Sequence, residues 1–545
     1  KMIYVMNKSK KSNRFWSSPH WTSGLVLTLA AIFITATCNI TMFQKLFDWY
    51  ILTDTKLIYI LSLVVIQTLL LVLVFSVLTA FFAFRTILAT ILMISAFSAY
   101  FVDSFGVIID REMLINAIQT DPAEASALFS PRFLLYFMGI FLLPSIFLFK
   151  IKMTAQGLLK RLKSNVIYGV GSLALIVAIV FSFYPFYASF FREQLVIRVY
   201  SNPMAAMYGV IQVAQKDYFT GTPPFTPIAS DAHKPTGGPR KLVIMVVGET
   251  ARADRFSMNG YARKTNPLLE QSGIISFSDA SSCGTSTAYS VPCMFAQEGR
   301  AQYNRRAAAY RGNALDVLAD VGTHVYWRDN NSDSKDVANR VNYKSFKNPP
   351  TNTICDPECR DVGMLVGLDT LIETQDSGDF IFVLHQMGSH GPTYWQRVPD
   401  GFQKFQPICT SSQLDQCSPE QINNSYDNTI FYTDYFLAQT IEFLKAYDDR
   451  FETTLLYASD HGESLGENGL YLHGMPYSMA PVAQTHVPVM MWLGARHSPI
   501  KKKLLLAHAD KPISHDNLFH SLLGLFGVET SAYLPQKDLL NSALE

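Results

Sequence analysis

The chain has 545 residues, 49% of them hydrophobic and only 16% charged, against roughly 25% charged in a typical soluble domain. That length asks for at least two domains, and a mean hydropathy of +0.14 excludes a uniformly soluble globule. A net charge of +1 argues against a dedicated nucleic-acid binder, and 13% aromatic residues exclude full disorder.

The apolar excess sits in the first third. Between Thr22 and Val102 the charged residues are Lys45, Asp48, Asp54, Lys56 and Arg85. Charge-free stretches run Trp21–Gln44, Leu57–Phe84, Thr86–Val102, Phe133–Phe149 and Ser164–Phe191. A helix needs about 20 apolar residues to cross a bilayer core, so all five read as spans. The third and fourth are near the lower limit, and buried core helices are the alternative for them. Their number and length do not fit a secretory signal.

Lys8, Lys10, Lys11 and Arg14 precede the first span, and Lys150, Lys152, Lys160, Arg161 and Lys163 fill the fourth connection. Basic flanks face the cytoplasm, so both are expected inside. The connection after the third span carries Asp103, Asp110, Glu112, Asp121 and Glu124 beside Arg111, and is expected outside. Residues 1–191 therefore read as a transmembrane anchor with an outside loop at 103–130. Everything after Phe191 falls outside.

Residues 192–240 read as a bridge. Its first part is an amphipathic helix on the membrane surface or an ordinary packed helix. Its second, Gly221–Arg240, holds Pro223, Pro224, Pro227, Pro235 and Pro239, which is linker composition.

Residues 241–545 read differently. Leu242–Val247, His324–Trp327, Phe380–Leu384 and Thr454–Tyr457 are short apolar runs, and Ser425–Ala446 has a helical pattern. Strands alternating with helices predict an α/β domain around a buried sheet. Glu249, Asp329, His385 and Asp460 follow or close strand ends, the edge where such folds place ligands.

Cys283, Cys293, Cys355, Cys359, Cys409 and Cys417 all lie in this external domain. An even count in an oxidising compartment reads as disulfides, with sequence-local pairs Cys283–Cys293, Cys355–Cys359 and Cys409–Cys417 as the expectation among many connectivities. Zinc binding by Cys355 and Cys359 is the rival and lacks a second soft pair. Cys38, in the first span, reads as a packing residue.

Three segments carry chemistry. Asp460-His461 after a strand offers an oxygen and a nitrogen ligand of the kind zinc favours, with Glu249 as a second carboxylate and His473 downstream. The bland alternative is an N-cap beside a solvated histidine. The run Ser282 to Met294 clusters hydroxyls between two cysteines. A helix starting near Thr287 would present N–H groups to a phosphate, and a metal beside Thr287 would activate its hydroxyl. N-capping in a disulfide loop is the alternative. In His385 to Pro392, His390 is the candidate for phosphate binding or proton transfer and His385 reads as packed. Lys335, after the strand at His324–Trp327, is a candidate phosphate contact or a surface lysine.

Val247-Gly248-Glu249-Thr250-Ala251-Arg252, the run Cys283 to Met294, Ser389-His390-Gly391-Pro392 and Asp460 to His473 resemble the lipid A phosphoethanolamine transferases. That family includes chromosomal enzymes and the mobile colistin-resistance enzymes. Asn330 to Lys335 has no cysteine, as in the mobile type, which implies fewer disulfides than in many chromosomal members. The resemblance runs over nearly the whole chain. It implies an α-helical five-span anchor in the Gram-negative inner membrane, N-terminus cytoplasmic, and a periplasmic α/β domain of the alkaline-phosphatase/sulfatase type. It implies Glu249, Thr287, Asp460 and His461 as ligands of one zinc ion, and allows a second. Thr287 would be the nucleophile. His390, His473 and Lys335 would hold the phosphate group or that second metal, and Ser332 would contact substrate. Asn116, Thr120 and Glu124, spaced by four, would be substrate contacts on one helix face; a solvated polar face is the alternative.

The function so implied is transfer of phosphoethanolamine from phosphatidylethanolamine to a lipid A phosphate through a threonine intermediate, conferring polymyxin resistance, by a monomer with no nucleic-acid partner. Two other readings stand beside it. One is transfer to another envelope acceptor, such as core heptose or a glucan. The other is a non-catalytic membrane lipid sensor. A sulfatase is disfavoured because Cys293 lacks the Cys-x-Pro-x-Arg context of a modified nucleophile. A zinc protease is disfavoured because His-Glu-x-x-His does not occur.

Overall fold

The structure is a computed structural model that describes residues 21–49, 54–81, 83–120, 128–154, 157–193, 195–215, 221, 223–356, 358–542 and 544. The basic residues before Trp21, and Glu124, lie outside the described residues. Two compact units form. One holds the chain up to Tyr100 with Leu134–Met204; the other holds Phe101–Phe133 with Ala205–Glu545.

The first unit is helical. Helices α1 (Ser23–Cys38) and α2 (Ile40–Trp49) meet at a 61° bend. Asn39 marks the break, and the polar groups there find partners on Asn202. Asn39 Nδ2 donates to Ile34 O and Asn202 O, and Asn202 Nδ2 donates to Cys38 O at 3.0 Å. A bend in an apolar helix is tolerated when its freed backbone groups are satisfied in this way. Helices α3 (Asp54–Phe81) and α4 (Phe84–Phe105) follow. Next come α5 (Arg111–Gln119), which belongs to the second unit, and α6 (Pro131–Lys150). Among the described residues four helices are long and apolar enough to span a bilayer, five if the bent pair is one span. Leu27, Ile34, Leu71, Phe75 and Leu88 pack in the interior.

The fifth apolar stretch departs from one continuous helix. Helix α7 (Leu158–Ser182) begins before the stretch and takes in Lys160, Arg161 and Lys163. It ends at Phe183, and α8 (Tyr184–Glu193) starts anew. Pro185 has no N–H and costs least in a first helical turn, which is where this break places it.

In the second unit, α9 (Met204–Val213) buries Ala206, Gly209 and Val213 and exposes Tyr208 and Ile211. A Cβ on Gly209 would come within 3.1 Å of the Asp110 carbonyl carbon, so glycine lets α9 lie against the start of α5. Residues 221–240 are pinned to the domain despite their linker composition. Thr226 N–H donates to Tyr310 O at 2.8 Å, Lys234 pairs with Asp379, and Arg240 stacks over Phe451.

The domain then supplies β1 (Lys241–Gly248), β2 (Ile275–Phe277), α10 (Thr287–Met294), β3 (His324–Asp329), β4 (Asn342–Ser345), β5 (Phe380–His385), α11 (Pro419–Lys445), β6 (Glu452–Ser459) and β7 (Val489–Leu493). The sheet order is β2-β7-β6-β1-β5-β3-β4. Strands β4, β3, β5, β1 and β6 are mutually parallel, while β7 runs antiparallel to β6 and β2. Val243, Met245 and Val247 bury against one helical layer, and Leu242, Ile244 and Val246 against the other. A strand covered on both faces must be apolar at every position, which explains the unbroken runs. Helix α11 is fixed by a capping box of Ser418 and Gln421.

The register sets the site. Gly248 lies opposite Ser459, Val247 opposite His385, and His385 opposite Asp329. The residues that follow β1, β6, β5 and β3 therefore emerge side by side at one edge.

Candidate active site

Glu249 follows β1, and Asp460 and His461 follow β6. One ligand atom from each lies within 4.8 Å of the others, and all three side chains are buried. Two close approaches shape this edge. A Cβ on Gly248 would lie 2.5 Å from the Tyr457 hydroxyl, and one on Gly462 would lie 2.0 Å from Ala483 O. Thr250 takes φ +50°, a left-handed conformation that costs a β-branched residue on the order of 1–3 kcal/mol. It is held there because its N–H donates to Asp460 Oδ1 and its carbonyl accepts from the Tyr426 hydroxyl at 2.7 Å.

Asp460 Oδ1 also accepts the His461 N–H at 2.7 Å, which leaves Oδ2 facing His461 Nε2 at 3.3 Å. Among the described residues no hydrogen bond reaches that buried Oδ2. Burial raises the Asp460 carboxyl to about 6. Burial also holds the His461 imidazole well below its ordinary value, so the ring is neutral. Its Nδ1 is paired with Gly462 O at 2.9 Å, so Nε2 presents a lone pair to the cluster. Two carboxylates and a neutral imidazole fit a cation that takes oxygen and nitrogen ligands.

Thr287 is the first residue of α10, after the extended N-cap Ser286. Its hydroxyl lies 3.2 and 3.4 Å from the Glu249 carboxylate oxygens and 3.4 Å from His461 Nε2. The start of a helix carries unpaired N–H groups and the positive end of its dipole. Pro292 lies inside α10 and has no N–H to give Ala288 O; Arg305 Nε donates there instead at 2.7 Å.

His473 joins the group, its ring 4.3 Å from His461 and 5.6 Å from His390. Asn116 and Thr120 line a cavity of about 110 Å³ with Met113, His390 and His473. Helix α5 is seated there through Ile115, which packs on Ala288 of α10 and on Val213. Thr120 is the C-cap that follows α5, not a member of its helical face. Lys335 is buried, with φ +52°, and its ammonium donates to Ser332 O at 2.6 Å and Gln119 O at 3.1 Å. It thus joins the loop after β3 to the end of α5. Ser332 is half-buried in that loop. His385 is wholly buried and paired with Asp329 at 2.9 Å. Disulfides join Cys283 to Cys293, Cys355 to Cys359 and Cys409 to Cys417.

Four residues missed in the sequence hold this arrangement. Asn331 Nδ2 donates to Glu249 Oε2 at 2.8 Å and to Gln386 O at 2.7 Å. Glu463 Oε2 lies 3.2 Å from His473 Nδ1. Asp361 accepts the N–H groups of Met387 and Gly388 and the Asn330 and Gln386 side-chain amides. His515 accepts the Cys283 N–H and donates to Ser459 O. Asn331 and Glu463 follow strand ends closely and could have been suspected by position. Nothing local marks Asp361 or His515.

Comparison with known proteins places the chain. Residues 241–528 match the family model for sulfatases, and residues 67–218 match that for phosphoethanolamine transferase EptA/EptB. The phosphatidylethanolamine transferase Mcr-1 of Escherichia coli is 40% identical over 92% of this chain and 95% of its own length. EptA of Escherichia coli K12 is 36% identical over 95% of this chain and 96% of its own. The solved integral membrane lipooligosaccharide phosphoethanolamine transferase A of Neisseria meningitidis is 31% identical. It superposes with a TM-score of 0.90 over 96% of this chain and 99% of that one. The helical anchor and the α/β domain of the sulfatase type superpose on that solved structure over nearly the whole chain, and with these identities the chain belongs to the lipid A phosphoethanolamine transferase family.

Proposed function

We propose that the chain transfers phosphoethanolamine from phosphatidylethanolamine to a lipid A phosphate through a covalent phosphoethanolamine–Thr287 intermediate. The observation that carries this is the Thr287 hydroxyl within 3.4 Å of both Glu249 and His461, at the start of α10. Glu249, Asp460, His461 and Thr287 would hold a zinc ion, which lowers the pKa of a bound hydroxyl and offsets phosphoryl charge.

The chain's own residues account for the rest. Thr287 Oγ1 bonds to the donor phosphorus as the bond from phosphorus to the glycerol oxygen breaks. His390 or His473 gives the departing diacylglycerol oxygen its proton. A lipid A phosphate oxygen then bonds to the same phosphorus, and Thr287 leaves and recovers its proton. The N-terminus of α10 and Lys335 favour the phosphoryl charge in both steps. Asn116 and Thr120 would contact the lipid substrate from the side of α5 and Ser332 from the loop after β3, with Glu124 as a further substrate contact.

The basic connection at Lys150–Lys163 and the acidic loop at 103–124 support an inner-membrane anchor with a cytoplasmic N-terminus and a periplasmic catalytic domain. An added amine lowers the negative charge of lipid A, so cationic polymyxins such as colistin bind it less well.

The test is mass spectrometry of lipid A and of the Thr287 peptide. Wild type gives phosphoethanolamine on both, and chelation of zinc removes both. Thr287→Ala gives neither, and its cells are polymyxin-sensitive. Modified lipid A made by Thr287→Ala alone defeats the proposal.

A further inference from the structure

The anchor unit contains an apolar groove whose lining includes none of the residues assigned to the transfer. Val26 and Phe33 of α1, Leu88 and Leu92 of α4, and Gly139 and Leu143 of α6 enclose a space of about 380 Å³. Two features keep it open. The turn Phe137–Leu142 of α6 is π-helical, a widened turn frequent at functional positions. A Cβ placed on Gly139, within that turn, would meet no atom within 4 Å. A gap between helices in a bilayer forfeits dispersion contacts on both walls, and no hydrophobic force closes it. A lipid chain restores those contacts.

The mouth of the groove is polar and positive. Trp21 closes the end, its ring edge-on to Phe147 at 5.9 Å. Its backbone is bonded to Lys152 O and to the Thr154 N–H at 3.0 Å each. Arg85 is occupied in fixing the end of α6, donating to Phe149 O and Ile151 O. Lys150 and Lys152 stand at this same end, both exposed.

We propose that this groove binds an acyl chain of an anionic phospholipid, with the head-group phosphate at Lys150 and Lys152. A zwitterionic lipid would fill the apolar part equally well; the lysines select the negative head group, as basic pockets between membrane helices do. No residue of the groove belongs to the unit that holds Glu249, Asp460 and His461, so the proposal stands apart from the zinc and threonine chemistry.

Trp21 is itself the reporter. The full chain is reconstituted in phosphatidylcholine vesicles containing rising fractions of phosphatidylglycerol or phosphatidylethanolamine with the same dibrominated acyl chain. The Trp21 signal is taken as the difference from Trp21→Phe. Brominated phosphatidylglycerol is expected to half-quench that signal at a mole fraction at least about fivefold lower than brominated phosphatidylethanolamine. Each of Lys150→Gln and Lys152→Gln is expected to reduce the preference about fivefold. Gly139→Leu, in the lining of the groove, is expected to weaken quenching by both lipids. Equal quenching of wild type by the two lipids marks ordinary bilayer contact and overturns the proposal. Quenching by neither marks a space filled by protein and overturns it as well. The lysine variants alter only exposed side chains, so the selectivity test survives if Gly139→Leu fails to fold.

Discussion

Asn331 holds Glu249. Its side-chain amide donates to Glu249 Oε2 at 2.8 Å and, through its second hydrogen, to Gln386 O at 2.7 Å. One amide thereby ties the carboxylate that follows β1 to the chain that follows β5. Partners of this kind, one bond removed from a metal, typically account for about 10–100-fold in affinity. Asn331→Ala is expected to weaken zinc binding by that factor, read in a competition titration against a chromogenic chelator. Transfer should recover at high zinc, since Thr287, Glu249, Asp460 and His461 all remain.

Gly462→Ala should damage the same centre by a different route. The new methyl would lie 2.0 Å from Ala483 O, a backbone atom that cannot swing aside. The strand end must move, and it carries His461 on one side and Glu463 on the other. Overpacking of this sort costs about 1–3 kcal/mol. Chemical denaturation should show a loss in that range, with a matching fall in zinc affinity.

Among the described residues Asp361 faces donors only: two backbone N–H groups and two side-chain amides. Burial raises its carboxyl, and those hydrogen bonds oppose the shift. Asp361→Asn would turn an NH2 group toward donors and leave at least one buried N–H unpaired, at about 1–3 kcal/mol. The affected loop leads through Gly388 to His390. Thermal unfolding should therefore shift downward, and the rate of transfer should fall more than substrate affinity does.

His515 predicts a pH dependence. It accepts the Cys283 N–H at Nδ1 and donates from Nε2 to Ser459 O, which only the neutral ring can do. Burial lowers its pKa from 6.5 to about 4. Between those values the unfolded chain takes up a proton that the folded chain refuses, so stability falls as pH drops from about 6.5 to about 4. The full effect is on the order of 3 kcal/mol. It is measured by unfolding the zinc-free full chain in detergent across that window, where metal loss cannot contribute. His515→Gln keeps an acceptor and a donor without a titrating group, and its stability should fall less steeply with acid.

The sequence by itself determined the parts of this protein that depend on local pattern. Charge-free stretches of bilayer length marked the anchor, and unbroken apolar runs marked β1, β5 and β6, because a strand covered on both faces cannot alternate. A polar residue just past such a run put Glu249, Asp460 and His461 forward, and the hydroxyl cluster between Cys283 and Cys293 offered Thr287, each beside a capping alternative that the family resemblance weighed against. Tertiary structure alone decided which of these ends adjoin. The order β2-β7-β6-β1-β5-β3-β4 sets Glu249 beside Asp460 on one side and Asn331 on the other, 82 residues away in the chain. His515 meets Cys283 across 232 residues. The same holds in the anchor, where Asn202 satisfies the bend at Asn39 from 163 residues away. Periodicity records which side of an element is buried, and that is a property of neighbours in sequence. A hydrogen bond that orients a ligand needs only a donor and an acceptor brought together by the fold, and such a pair leaves no period to read.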